Sequence, residues 1–428
     1  MPTGDGLLAR LMPSAPIAID AFIALCDASD ATGNGIVEVT QRGSLQIRGL
    51  SPASAPIFAR TAISLGLGAE GAPSLLTPPL MGLDPLERID LRALAAALRA
   101  DLKNHAAIAC IGPKVSVLID GGNALHLDDV PGDVRLQAGA DSRFHLSIAG
   151  TAASSTSLGW IESHHAQEAI VTILTSVARL GTDARARDLA NRGGVDALHA
   201  ALAHMLIEDP AMHPRPPAEP LGTHPLNDGR VAQGVALAFG YAEAGVLKRF
   251  AQAIACCGAS SIQPAPGRTL LAIGIPASAA PQCTLAATAA GFIVRPDDAR
   301  RYVIACAGAP ACGSAAFSTR RLAPAVAQAG LPLLDGSLTI HLSGCAKGCA
   351  HPGPAALTLV GPDRLVVRGR AGDTPQGRIS SADFIAGLTR LHGQRQRGQN
   401  SPERGTDIVS RLGAERVLHV MGGAPLHD

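Results

Sequence analysis

Apolar and polar positions alternate over residues 36–40 and again over 45–50, with the polar break Gln41-Arg42-Gly43-Ser44 between them. Period-two alternation describes strands with one buried and one free face. It places Ser44, Gln46, Arg48 and Leu50 on one face of a regular second strand. Ahead of this pair, 7–11 reads as an apolar strand after Gly4-Asp5-Gly6, and 19–26 has helical spacing with Asp20 near its start. After it, 52–65 reads as a second helix. The Pro- and Gly-rich stretch 73–85 predicts loop, and 91–102 predicts an amphipathic helix. Residues 107–110 and 115–119 read as strands split by Ile111-Gly112-Pro113-Lys114. Short strands at 134–136 and 144–148 follow, then helices at 167–180 and 195–206. Residues 208–225 hold six prolines and little apolar pattern, which predicts a linker.

The same order of patterns then returns. Residues 235–239 resemble 7–11, the helix 244–257 resembles 19–26, 267–275 resembles 44–50, and 277–290 matches the second helix. The loop 307–313 takes the place of 73–85, and 322–329 that of 91–102. The strand 338–342 with Ser343-Gly344-Cys345-Ala346-Lys347 parallels 107–110 with Ile111-Gly112-Pro113-Lys114. A period of about half the chain implies two pseudo-symmetric α+β halves, since solenoid repeats are far shorter. The tail is polar after residue 394 and weakly helical over 407–420.

Composition narrows this picture. A chain of 428 residues with 47% apolar and 17% charged residues predicts two or three domains with sizeable cores. Lys and Arg number 36 against 35 Asp and Glu, so nothing points to nucleic acid or an anionic membrane surface. No apolar run reaches the length of a membrane span, and residues 1–10 lack the pattern of a secretory signal. Nine cysteines are too dilute for a disulfide scaffold. A cytoplasmic, reducing compartment is expected, where cysteine pairs mean metal more often than disulfide.

The cysteines carry the chemistry. Cys306-x5-Cys312 and Cys345-x3-Cys349 stand 32 residues apart, among Gly308, Gly313, Gly344, Gly348, Pro310 and Pro352. Glycine-rich loops let four thiolates wrap a compact iron–sulfur cluster. Zinc is the rival ion, although its sites favour x2 spacing; unliganded thiols are the third reading. The first half has no cysteines at the equivalent loops. Cys26, Cys110, Cys256, Cys257 and Cys283 show no such pattern and read as small core residues. His351 reads either as a loop histidine bonded to a backbone carbonyl, or as a group near the cluster or on a separate iron. Arg42, Arg48, Lys114 and Arg268 read either as solvated surface charges or as the lining of a polycarboxylate site. No GxGxxG follows a strand and no Walker A motif appears, so electrons are expected from an outside donor.

The two cysteine pairs, the internal duplication and Thr40-Gln41-Arg42-Gly43-Ser44-Leu45-Gln46 resemble the sulfite and nitrite reductase family. The last stretch is similar to that family's tetrapyrrole-binding T-x-R-x-x-x-Q, and the resemblance reaches about residue 395. It implies an α+β, pseudo-two-fold body. Ferredoxin-like half-domains at 1–65 and 225–292 would pair. A lobe at 66–215 would lack a cluster, a lobe at 293–395 would carry a [4Fe–4S] cluster on Cys306, Cys312, Cys345 and Cys349, and 396–428 would be a tail without assigned role. In the reductases the cluster lies beside a sirohaem, with the last cysteine, here Cys349, bridging the two.

The chain departs from the reductases at two places. An Arg-Asn pair is replaced by the cation-free Pro73-Ser74-Leu75-Leu76. Of two alternating lysines, Lys114 matches the first and Ser116 occupies the second. The opening Gly4-Asp5-Gly6-Leu7-Leu8-Ala9-Arg10-Leu11 looks most like the sister branch that serves aerobic cobalamin biosynthesis. That likeness implies O2-dependent hydroxylation of the tetrapyrrole precorrin-3A at C20, with closure of a γ-lactone. Electrons would come through the cluster from an NADH-linked reductase or a ferredoxin-type donor, with a mononuclear non-haem iron in place of sirohaem. Arg42, Gln46, Lys114 and Arg268 would hold the substrate carboxylates; catalytic residues stay unassigned. The alternative is a sirohaem-dependent sulfite or nitrite reductase.

Overall fold

The computed structural model describes residues 2–68, 73–139, 141, 143–191, 193–207, 212, 214–396 and 403–426. Its four sheets form two matching pairs. One five-stranded sheet runs in the order Pro2–Thr3, Gly6–Leu11, Leu45–Leu50, Ile36–Val39, Tyr241–Glu243. The other runs Gly222–Pro225, Val231–Ala236, Thr269–Ile275, Ser261–Ala265, Ile17–Ala18. Each takes its last strand from the opposite half of the chain, through antiparallel pairing of Tyr241–Glu243 with Ile36–Val39 and of Ile17–Ala18 with Ser261–Ala265. The helices Ile19–Thr32 and Ala244–Cys256 pack against each other above them. One core results, in which Phe22, Leu25 and Ile47 meet Phe250, Ile254 and Leu270. Exchanged edge strands and a shared core join the two halves into one body.

Each half also carries a lobe with a six-stranded sheet. In the first, Ser74–Leu76, Ser116–Asp120 and Gly132–Ala138 run parallel, and Arg143–Gly150, Thr156–Glu162 and Leu206–Ile207 continue antiparallel. In the second, Val303–Ala305, Ile340–Ser343 and Ala355–Val360 run parallel, and Arg364–Gly369, Gly377–Arg378 and Ala424–Pro425 continue antiparallel. The sheets match strand for strand. No helix among the described residues is long and apolar enough to cross a membrane.

Several sequence expectations need correction. Residues 73–85 are not all loop, because Ser74–Leu76 forms the parallel edge strand of the first lobe. Residues 107–110 are not a strand: Ala106–Ile108 makes one 3-10 turn in which Ile108 alone is buried. A short apolar run gives no period by which to tell the two apart. The counterpart of Ile340–Ser343 is therefore Ser116–Asp120. Lys114 precedes its strand whereas Lys347 follows, so the two lysines are not equivalent. The strand expected at 235–239 lies at Val231–Ala236, and Phe239 takes φ 60° beyond its end. The expected linker contains the strand Gly222–Pro225; residues 208–211 and 213 of it lie outside the described residues. In the tail, Gly405–Met421 is helical and buries Ile408, Val409, Val417 and Met421 in the core of the second lobe.

One correction bears on the site. Ser44, Gln46 and Arg48 share a face, as alternation requires, but Leu50 does not join them. Gly49 takes φ 71°, and the register against Gly6–Leu11 slips between Leu7 and Ala9. This bulge turns Leu50 into the core beside Leu45 and Ile47. The three polar residues stay on the opposite face, toward a cavity.

Candidate functional site

A cavity of about 810 Å³ lies between the body and both lobes. That is near the upper end for small-molecule sites, roughly 300–1,000 Å³. Its walls include Arg10, Thr40, Arg42, Ser44, Gln46 and Arg48 from the body, Lys114, Ser116 and Arg185 from the first lobe, and Cys306, Arg320, Cys349 and His351 from the second. Gly267 and Arg268 close it from the repeat of the first-half hairpin.

Parallel strands lead directly into the cysteine loops. Val303–Ala305 runs into Cys306, and Ile340–Ser343 into Gly344 and Cys345. The Gly344 amide donates to the Cys306 sulfur at 3.1 Å, and the Ala316 amide donates to the Gly344 carbonyl at 2.9 Å. A Cβ on Gly344 would stand 2.5 Å from that of Ala315 and 3.4 Å from the Cys306 sulfur, so only glycine fits between the loops. Lys347 Nζ donates to Ser314 Oγ at 3.2 Å, a second tie between them. Partial burial pushes the Cys349 thiol up, and Cys345, Cys306 and Cys312 add to it, so the four thiols lie within electrostatic reach of one another. Among the described residues no three His, Cys, Asp or Glu side chains are grouped to hold a single metal ion. A four-iron cluster asks for something else, one thiolate on each iron. Four thiols on two tied, glycine-lined loops are the ligand set such a cluster would need.

His351 Nε2 lies 3.1 Å from the Pro354 carbonyl, the bond expected of a loop histidine, while its ring faces the cavity wall. Its neighbour His341, on Ile340–Ser343, is fully buried, and neither ring nitrogen has a partner. The two rings meet edge to face at 5.6 Å. Burial, with help from His351 and Arg268, pushes the His341 pKa down to about 3.

The cations of the cavity divide into two groups. Arg48 is paired with Asp5 and Glu38. Arg320 is paired with Glu38 and lies 4.4 Å over the Tyr241 ring. Arg185 binds the buried Asp133 at 2.7 Å, and Arg301 binds Glu219 at 2.8 Å. Among the described residues Arg10, Arg42, Lys114 and Arg268 make no ion pair with an acid. Arg10 donates instead to the Gln46 side-chain oxygen at 2.8 Å when that amide is turned so that its nitrogen donates to Glu38 at 2.9 Å. Arg268 donates to the Ala350 carbonyl at 3.3 Å, beside Cys349. It is enclosed by protein with one flank toward the cavity, and burial pulls its pKa down to about 10. Burial and the neighbouring Arg185 and Arg10 also pull Arg42 below the usual guanidinium range, against the attraction of Asp133.

All four expected binding residues, Arg42, Gln46, Lys114 and Arg268, thus line one cavity, and so do Cys306 and Cys349. Cys312 and Cys345 are not in its lining. Sequence reasoning passes over Arg10, Arg185, Arg301 and Arg320. Arg10 is within its reach, because it alternates with Leu8 and Met12, both also in the wall. The other three lie in stretches whose local pattern says nothing of a cavity.

No family model matches the chain. A precorrin-3B synthase from Sinorhizobium sp is 38% identical over 97% of this chain and 91% of its own. The chain belongs to the precorrin-3B synthase family. More distantly, the ferredoxin–nitrite reductase of Synechococcus elongatus is 23% identical over 84% of this chain and 77% of its own. Among solved structures, the NirA protein of Mycobacterium tuberculosis superposes with a TM-score of 0.76 over 96% of this chain and 84% of its own, at 18% identity. That match supports the duplicated fold. The family is an oxidoreductase branch within the wider sulfite and nitrite reductase group.

Proposed function

We propose that the chain converts precorrin-3A to precorrin-3B in aerobic cobalamin biosynthesis, by O2-dependent hydroxylation at C20 with γ-lactone formation. The observation that carries this reading is the set Arg42, Lys114 and Arg268. These three cations face one cavity without acid partners, with Cys349 in the same wall. Cations without acid partners along one cavity favour an anionic occupant, and a tetrapyrrole fringed with carboxylates supplies one. Arg42 and Arg268 present forks to carboxylates and so fix the plane of the ring, whereas Lys114 offers a point charge. Gln46, held between Arg10 and Glu38, presents an amide whose direction is set before the ligand arrives. The apolar Leu8, Leu76 and Val130 exclude water from the ring's edge.

In this reading Cys306, Cys312, Cys345 and Cys349 hold a [4Fe–4S] cluster. When bound, such a cluster supplies single electrons at the cavity wall, drawn from an external ferredoxin-type or NADH-linked donor. For a mononuclear iron the described residues offer no grouped set of three His, Cys, Asp or Glu ligands. The deciding experiment is turnover of precorrin-3A by the purified protein with a reducing system, in air and without oxygen. Product that forms only in air supports the reading. Absence of oxygen-dependent product overturns it, and sharp sirohaem bands in the visible spectrum of the purified protein overturn it in favour of a sirohaem-dependent reductase.

A further inference from the structure

The opening turn Gly4-Asp5-Gly6 lies far in sequence from the cysteines but directly against them in space. Gly4 abuts the backbone of Cys312 and Gly313: a Cβ there would stand 2.6 Å from the Cys312 carbonyl carbon and collide with the Gly313 nitrogen. Asp5 anchors the turn. Its carboxylate accepts from Arg48 Nε and a terminal Arg48 nitrogen, both at 3.1 Å, from Thr3 Oγ1 at 2.8 Å and from Asn34 Nδ2 at 3.0 Å. That same terminal nitrogen of Arg48 donates to the carbonyl of Ala311, the residue before Cys312. One guanidinium therefore ties the N-terminal turn to the first cysteine loop. The tie is well enclosed, with the side chains of Arg48 and Asp5 only 5% and 12% exposed. Burial works against ionisation of Asp5, yet the bonds and charge of Arg48 still hold its carboxyl below the usual range.

The other backbone bonds of the 311–313 segment are local. The Cys312 amide bonds within the loop, to the Gly308 carbonyl, and the Ala315 amide bonds back to Cys312. The Ala311 carbonyl is reached from outside the loop by Arg48.

We propose that the Gly4-Asp5 turn is a latch on the cluster site. Asp5 is a positioning residue that acts through Arg48 to keep the 311–313 segment closed over the cysteine sulfurs, and the latch governs how readily iron leaves. The inference rests on the cluster reading of the four cysteines. Its chemistry is loop opening: a carboxylate holds an arginine, the arginine holds a carbonyl, and the carbonyl holds the loop.

The test uses the full-length protein purified without oxygen and carrying its iron. A ferrous chelator is added, and iron release is followed by the colour of the chelate. Asp5→Ala is expected to release iron about tenfold faster or more, because it removes the carboxylate that aims the enclosed Arg48 at the Ala311 carbonyl and leaves Glu38 as its remaining acid partner. Asp5→Asn, which keeps the shape but not the charge, is expected to show about threefold. Gly4→Val is a second probe by steric opening. Ile170→Val, in the core of the first lobe, is the control for general loosening. Release at the wild-type rate in both Asp5 variants overturns the latch, and so does equal acceleration in Ile170→Val. Wild-type protein without iron and sulfide overturns the cluster reading instead, so the two failures are distinguishable.

Discussion

The two lobes share a sheet order and differ in what stands at the ends of their parallel strands. In the second lobe those ends deliver Cys306 and Cys345. In the first lobe the strand Ser74–Leu76 leads into a loop whose Leu80 is buried against Leu125, Leu271 and Ile273. The strand Ser116–Asp120 ends on Asp120, which is buried and bound to Arg215 of the connecting segment at 2.7 Å. Asp128 binds the same guanidinium, and together, against the effect of burial, these two acids push its pKa up. One topology thus gives two loops beyond the strand ends, where open sheets place their sites. One lobe fills its loops with leucine and an ion pair that fastens the connecting segment to the lobe; the other fills them with thiols. Topology sets where a site can be, and side chains decide whether it is a site or a joint.

The sharpest way to break this comparison is to remove a thiol. Cys312→Ala and Cys345→Ala are each expected to abolish iron and sulfide in the purified protein, with the melting of the first lobe little changed. Metal and acid-labile sulfide analysis checks this. A full complement of both in either variant would show that the cysteine loops are joints like their first-lobe counterparts.

The two cysteine pairs are legible in the sequence because their information is local: spacing and flanking glycines suffice. The helices near 91–102 and 244–257 are legible for the same reason, since their period lies within each segment. Two of the strands that sequence pattern misses have a locally broken alternation. Thr156–Glu162 carries Gly159 at φ 125°, with a register shift beside it. Ser261–Ala265 contains Pro264, which argues against a strand by pattern alone. At the site, Arg42 and Arg268 are legible by their place at the ends of repeated hairpins. That Arg320 is engaged by Glu38, 282 positions away, is not, because ion pairing over such separations follows only from the fold. The same holds for Asp5 and Arg48.

The second prediction compares the halves through their cations. Arg42 and Arg268 come from equivalent hairpins, joined by the backbone bridge between Arg42 and Pro266. If the cavity holds one ligand across both halves, Arg42→Ala and Arg268→Ala each weaken tetrapyrrole binding by about ten- to a hundredfold, the worth of a charge-assisted hydrogen bond. Titration of precorrin-3A without oxygen, followed by absorbance, checks this. A loss in one variant and none in the other would place the ligand on one half alone. Lys114→Ala is expected at the lower end of the range, since its exposed ammonium gives up more hydration on binding.

The smallest effect concerns the sheet faces turned away from the lobe helices. In the first lobe that face carries Leu76 and Leu118 in an apolar cluster with Leu127 and Val130. In the second, the parallel strand at the same place carries His341, buried with neither ring nitrogen hydrogen-bonded. With a folded pKa near 3 and an ordinary one of 6.5, its unfolded form binds a proton between those values while its folded form does not. Stability contributed by keeping this ring neutral is therefore complete above about pH 6.5, declines as pH falls toward 3, and changes no further below. At pH 6 the cost is about 1 kcal/mol by linkage. The His341→Leu variant, which gives the second lobe the first lobe's apolar face, is expected to lose this share of the pH slope. The measurement is melting temperature from pH 7.5 to 5.5 for both proteins. A parallel pair of curves would mean that His341 titrates alike folded and unfolded, through a partner bound only in solution. A flatter curve for the variant would mean that this face pays for its histidine with acid sensitivity, which the first lobe's leucines avoid.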